Sequence, residues 1–273
     1  MEIAVIASSR DSAGINIRKN LIKLFNFKDI EKFGNSQIFQ YNNIKLYLID
    51  DDLIFAERID KKINADVFIF ASKHRSKENT PSFTAHPIGN WEKADFGGKE
   101  KTLCFSSAFL LKNLYLSLVQ NSYLQKNANF EVTLEATHHG PYVEKPAVFV
   151  EIGSTEKEWN DVLNGEIIAK TIINGLMKQE SDFISTILLG GGHYNQAGNK
   201  IMLKTDYAIG HVCPKHALEH LDEEILMQAI NKIIPKPNIV LLDWKGLSIH
   251  KQKIVGLLEK LNIRYERIQN MLH

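Results

Sequence analysis

Ile3-Ala4-Val5-Ile6-Ala7-Ser8-Ser9-Arg10-Asp11-Ser12 opens the chain, and its reading sets the fold class. Ile3 to Ala7 is a continuous apolar run of the length of a buried strand. Ser8 to Asp11 is a short polar turn, and Ser12 to Phe25 spaces its apolar residues as a helix does. A strand buried on both faces that feeds into a helix is the repeating unit of a parallel sheet. The same alternation continues outward. Ile44 to Ile49, Val67 to Ala71, Glu131 to Ala136, Ala147 to Ile152, Ile184 to Leu189, Tyr207 to Ile209 and Ile239 to Leu242 read as strands. Helices are expected from Ser106 to Gln120, from the capping box Thr155-x-x-Glu158 to Met177, from Pro214 onward, and from Ser248 onward. The pattern predicts a three-layer α/β/α fold with a mostly parallel, mixed sheet, in one domain over 1–273. The polar stretch 72–103, with Pro81, Pro87 and Gly97-Gly98, reads as a long inserted loop of the kind that usually binds or covers a ligand.

Composition narrows the function classes. With 44% hydrophobic and 24% charged residues the chain has ordinary globular usage, which excludes disordered and collagen-like classes. A formal charge of +1 provides no global basic field, so a nucleic-acid partner requires a local patch. Cys104 and Cys213 form no C-x-x-C pair or disulfide framework and read as reduced thiols. The N-terminus shows no basic leader. The most apolar stretch, Phe105 to Val119, is interrupted by Lys112 and Asn113 and falls short of the roughly 20 residues a span needs. A cytoplasmic monomer without membrane contact is expected. Ser8 to Gly14 lacks the spacing of a P-loop or G-x-G-x-x-G fingerprint, so no nucleotide cofactor is expected.

The polar, turn-rich residues follow the strands, where ligands bind in open α/β sheets. Glu135-Ala136-Thr137-His138-His139-Gly140-Pro141 brings two histidines beside a carboxylate, and Glu151 ends another apolar run. On an extended segment the rings of His138 and His139 should point to opposite sides, leaving at most one toward a site. Gly190-Gly191-Gly192-His193-Tyr194 can bring backbone N–H groups close to an oxyanion beside His193. His211 is a candidate site residue, whereas Cys213 reads equally well as a small buried side chain. Arg10 could seat an anion at the start of the first helix. Trp91 could stack on a base, with packing the favoured role.

Ala7-Ser8-Ser9-Arg10-Asp11, His86-Pro87-Ile88-Gly89-Asn90-Trp91, Glu135 to Pro141, Glu151-Ile152-Gly153-Ser154 and Gly190 to Tyr194 occur in this order. On these five motifs the chain resembles the archaeal-type D-aminoacyl-tRNA deacylases over essentially its whole length. The resemblance implies a phosphorylase/hydrolase-like fold, zinc dependence, and hydrolysis of the ester between a D-amino acid and the tRNA 3′ end. The family's Gly-Gly-Gly-His-Tyr segment usually continues with Ala-Pro and a basic residue, whereas Asn195-Gln196-Ala197-Gly198 follows here. The candidate zinc ligands are His138, His139 and His193, with Glu135 or Glu151 as ligand or general base. Gly191 and Gly192 are the candidate oxyanion donors. Arg10, Lys73, Arg75, Lys77, Trp91, Tyr194 and His211 are expected toward substrate or tRNA. Two alternatives remain: a zinc-dependent peptidase or amidohydrolase using the same histidines, and a non-catalytic RNA-binding module using the basic loop Lys73 to Lys77.

Overall fold

The first strand, β1 (Ile3–Ser8), is fully buried, and Asp11 caps the helix that follows it, α1 (Ser12–Leu24), by accepting from the Gly14 N–H. A hairpin comes next, β2 (Lys28–Phe33) and β3 (Ser36–Tyr41), leading to β4 (Ile44–Ile49), β5 (Val67–His74) and β6 (Ser82–Pro87). Three two-residue strands follow, β7 (Gly89–Asn90), β8 (Thr102–Leu103) and β9 (Ser106–Ser107), then α2 (Ala108–Leu124), β10 (Glu131–Leu134) and β11 (Ala147–Gly153). The helices α3 (Glu156–Asn160) and α4 (Val162–Met177) precede β12 (Ile184–Leu189), α5 (Gln196–Lys204) and β13 (Tyr207–Cys213). The chain closes with α6 (Glu223–Asn231), β14 (Ile233–Ile234), β15 (Val240–Leu242), α7 (Lys251–Lys260) and β16 (Tyr265–Arg267). This computed structural model describes residues 1–124, 130–178 and 182–271.

The main sheet has eight strands in the order β10-β6-β11-β5-β1-β4-β3-β2. β11, β5, β1 and β4 run parallel, as the apolar runs predict. β6 runs antiparallel to β11, and β10 follows β6. A second sheet, β13-β12-β15-β16, is parallel throughout. The mixed α/β class is therefore observed, with its longer strands divided between these two sheets and the short pairs β14-β9 and β7-β8 beside them.

Strand alternation sends successive side chains to opposite faces. On one face of the main sheet Val5, Ile69, Val148 and Val150 pack under α1, α2 and α4. On the other face Ile6, Phe68, Phe70 and Phe149 are covered by 3-10 turns at Leu53–Phe55 and Ile59–Lys61 and by irregular chain around Ile88 and Val143, in place of helices. Helices flank the smaller sheet on both sides, with α6 and α7 over Leu189, Val240 and Leu242.

Four expectations need correction. Residues 72–103 do not form one loop, because Ser82–Pro87 is a buried strand inside the main sheet. The expected helix from Thr155 is broken: its capping box starts α3, and Asp161, extended with φ −67° and ψ 118°, then caps α4. Pro214 precedes only a short 3-10 turn, and the helix begins later, where Asp222 accepts from the Ile225 N–H. Ser248 lies within a 3-10 turn and does not cap α7.

Candidate active site

Period-two alternation assembles the site on the sheet face that the helices leave free. In β5, Phe68, Phe70, Ser72 and His74 share that face, and Phe149 and Glu151 do so in β11. In β6, Phe83 and Ala85 turn to the helical side, which leaves Thr84 and His86 toward the site. β10 ends at Leu134, so Glu135 emerges mid-sheet because its strand runs the opposite way. The site therefore forms where antiparallel β6 and β10 meet the carboxyl ends of β5 and β11, and not along one rim of parallel strands.

Glu135 and Glu151 are both buried. His74 lies between them, its Nδ1 3.1 Å from Glu135 Oε1 and 3.5 Å from Glu151 Oε2. Burial alone would lower the His74 pKa, but Glu151 and Glu135 outweigh it and raise the value to about 9. His74 is accordingly an imidazolium at neutral pH. Its Nε2 lies 2.6 Å from the Tyr194 hydroxyl, which must accept from the charged ring. Glu151 also accepts from Thr84 Oγ1 at 3.2 Å. Burial disfavours the Glu151 carboxylate, yet His74 and His86 hold its pKa well below the usual range.

His86, His138 and His139 each place Nδ1 against a backbone carbonyl: Pro87 O at 3.1 Å, Ala136 O at 2.8 Å and Gly140 O at 2.6 Å. A carbonyl only accepts, so Nδ1 carries a proton in each ring. Nε2 of His138 and His139 is left with a free lone pair, whereas Nε2 of His86 faces Glu151 Oε2 at 3.7 Å. Their ligand atoms lie within 4.8 Å of one another. A second group, Glu135, His138 and His193, meets the same limit and shares His138. His193 Nε2 is 3.4 Å and His138 Nε2 3.6 Å from Glu135 Oε2.

Both oxygens of Glu135 and Nε2 of His86 are buried without a hydrogen bond among the described residues. Buried atoms of this kind are costly unless something compensates them. The Nε2 atoms of His138 and His139, with their ring protons directed away, beside a carboxylate whose charge is met by His74, have the chemistry of a zinc site and its outer shell. Burial lowers the His139 pKa to about 4 and that of His138 well below normal, with neighbouring histidines adding to both effects. His138 and His139 are therefore neutral at pH 7, as ligation requires, whereas burial of His86 is outweighed by Glu151 and Glu135, which raise its pKa.

The expectation that only one of His138 and His139 faces the site is overturned. Their ring centroids are 4.3 Å apart, and both rings lie against His86. His139 has φ +43°, so the extended alternation breaks at that residue. His86 and His74 were the residues missed. The alternation Ser82-Phe83-Thr84-Ala85-His86 carried the signal for the first, and the polar segment after Ala71 hid the second.

A cavity of 570 Å³ opens onto this cluster, within the usual range for ligand sites. Ser8, Asp11, Lys73, Arg75, Phe96 and His193 are among its lining residues. Lys73 and Arg75 lie over the Trp159 ring at 5.7 and 5.3 Å, and Lys73 Nζ is 3.5 Å from the carbonyl of exposed Arg10. Lys77 is exposed and does not line the cavity.

The other expected residues lie elsewhere. Gly191 and Gly192 border a second cavity instead of the histidine cluster. His211 is core: the Thr137 hydroxyl accepts from Val212 N–H and donates to Nδ1 at 3.1 Å, while Nε2–H donates to Cys104 O at 3.1 Å. Trp91 is buried and donates to Val212 O. Cys213 is buried, which pushes its thiol pKa well up and removes it as a nucleophile. Asn195, where the deacylase motif departs, caps α5 and bonds the Gly190 carbonyl, so it braces the glycine turn.

Fold and site together define an α/β protein whose histidines and carboxylates converge in a metal-competent cleft. A family model for D-aminoacyl-tRNA deacylase matches residues 61–266. The D-aminoacyl-tRNA deacylases of Thermococcus kodakarensis and Pyrococcus abyssi are 34% and 35% identical, each covering 96% of this chain and 98% of its own length. A crystal structure of a conserved protein of unknown function superposes with TM-score 0.91 at 32% identity, covering 98% of this chain and 96% of its own. The chain belongs to the D-aminoacyl-tRNA deacylase family.

Proposed function

We propose that the protein hydrolyses the ester of D-aminoacyl-tRNA in the cytoplasm, releasing the D-amino acid and free tRNA. The observation that carries this reading is the convergence of three imidazoles, each with Nδ1 bound to a backbone carbonyl, beside Glu135, whose buried oxygens accept no hydrogen bond among the described residues. His86, His138 and His139 would hold a zinc ion, with Glu135 and His193 completing or sharing the site. Bound zinc supplies a water acidified to a pKa of about 7 and polarisation of the ester carbonyl.

The remaining roles belong to the protein's own groups. Glu135, where it does not ligate, is the base that takes the proton of the attacking water. The Tyr194 hydroxyl, accepting from cationic His74, keeps its own proton for the developing oxyanion. Glu151 holds His74 charged and in position. Phe96, 67% exposed at the cavity, offers a ring face for the terminal base. Lys73 and Arg75, steadied by Trp159, take phosphate at the same mouth.

Matched D- and L-aminoacyl-tRNA, assayed with and without a chelator, test the reading. Hydrolysis of the D-substrate alone, abolished by the chelator and restored by zinc, is expected. Full activity in a rigorously metal-free preparation overturns the zinc role, and equal rates on both stereoisomers overturn the substrate.

A further inference from the structure

The smaller sheet has its own cleft. β13, β12 and β15 are parallel, and in such sheets the crevice beyond the carboxyl ends is where ligands bind. Beyond Leu189, Cys213 and Leu242 lies a cavity of 840 Å³ bordered by Gly191, Gly192, Lys215, His216, Lys245 and His250. Glu219 is the one carboxylate among its lining residues, and neither Lys215 nor Lys245 has an ion-pair partner among the described residues. In a chain of net charge +1, two lysines without ion-pair partners against one carboxylate around one cleft are a local excess of positive charge.

The position of this cleft matters as much as its charge. Gly192 borders it, and the next residue, His193, lines the first cavity. The outer edge continues the pattern, with Trp244 between Arg267 at 3.5 Å and Lys251 at 5.4 Å.

We propose that this second cavity is a polyanion site that takes phosphodiester groups of the single polynucleotide strand whose 3′ end enters the first cavity. The assignment rests on the deacylase reading of the first cavity and adds where its substrate strand is held. Exposed lysines on flexible stems make point-charge contacts to phosphate and follow a strand without reading its bases. The glycine turn provides an approach with no side chain at Gly191 or Gly192.

The test uses the full-length protein and a 5′-labelled single-stranded RNA with the sequence of a tRNA 3′ strand. Lys215→Ala/Lys245→Ala should weaken binding and lower the log–log salt slope by about 1.4, two contacts at about 0.7 each. The Lys215→Arg/Lys245→Arg pair should retain the slope. On D-aminoacyl-tRNA the alanine pair should raise KM on the order of tenfold, with kcat little altered. An unchanged slope and KM overturn the proposal. So does inorganic phosphate competing as well as the oligonucleotide, which indicates a small-anion site. RNA binding lost in the alanine pair, with no hydrolysis by the wild type, supports the polyanion site and overturns the deacylase reading instead.

Discussion

His86 shows what a single residue contributes at this site. Its Nδ1–H is committed to Pro87 O, its buried Nε2 has no hydrogen-bond partner, and its ring stacks on Phe149 at 5.2 Å. Packing and this hydrogen bond thus fix the ring beside His138 and His139, with Nε2 3.7 Å from Glu151 Oε2. His86→Ala should lower bound zinc and reduce D-aminoacyl-tRNA hydrolysis by more than the roughly 10–100-fold that loss of a supporting partner costs. Metal content and kcat/KM measured together check this, and full zinc with full activity would remove His86 from the ligand set. His211 is the contrasting case, a histidine that serves the fold. Burial lowers its pKa to about 3 against an ordinary value of 6.5. Between those values the unfolded chain binds the proton and the folded chain does not, so its contribution is complete above pH 6.5 and fades as pH falls toward 3. In that window His211 should remove about 1.4 kcal/mol of stability per pH unit. The difference in denaturation midpoint between wild type and His211→Gln should therefore shrink as pH drops from 7 to 4. A constant difference would show that His211 is not neutral in the folded protein.

At the scale of elements, a packed polar seam holds the cationic rim of the site. Asn16 of α1 donates from Nδ2 to Trp159 O at 2.9 Å and to Asp161 O at 2.7 Å, which pins the break between α3 and α4. Trp159 in turn donates to His74 O and lies beneath Lys73 and Arg75. Gly165 of α4 permits this approach, since a Cβ there would lie 2.3 Å from Asn16 Oδ1. Alanine in a helix is intrinsically better than glycine by up to about 1 kcal/mol. Asn16, held by three side-chain hydrogen bonds, one of them from Asn20 to the Oδ1 that faces Gly165, cannot give way cheaply, and overpacking costs about 1–3 kcal/mol. Gly165→Ala should therefore be net destabilising despite its helix propensity. Thermal unfolding checks the sign, and a raised Tm would mean that Asn16 relaxes.

Across the whole molecule, a formal charge of +1 leaves tRNA to be held by patches. Arg75, exposed over Trp159 at the mouth of the first cavity, is the anchor we propose there. Arg75→Ala should lower the log–log salt slope of tRNA binding by about 0.7 and raise KM more than it lowers kcat. Salt titration of binding, with steady-state kinetics, separates the two effects. If a short aminoacyl-nucleotide suffers as badly as full-length tRNA, Arg75 belongs to the reacting centre. No helix among the described residues is long and apolar enough to cross a membrane.

The sequence by itself determined the α/β class, because runs such as Ile3–Ala7 and Ile184–Leu189 are buried strands in any fold that accepts them. It also singled out Glu135, His138, His139, Glu151 and His193, since imidazoles and carboxylates at the ends of apolar strands have few inexpensive uses. β6 was not read from the sequence: Phe83 and Ala85 alternate with Thr84 and His86, but the surrounding prolines and polar residues made the segment read as loop. Only long-range packing set which way β6 and β10 run at that edge of the main sheet, and so that Glu135 and His86 lie side by side near Glu151. It alone turned His139 to positive φ, so that two adjacent rings share one site. It also withdrew His211 and Trp91 into the core and gave Gly191 and Gly192 to a different cavity. Local pattern fixes which face a side chain takes on its own strand. Which strands lie side by side, and in which direction, depends on long-range packing that no local window contains.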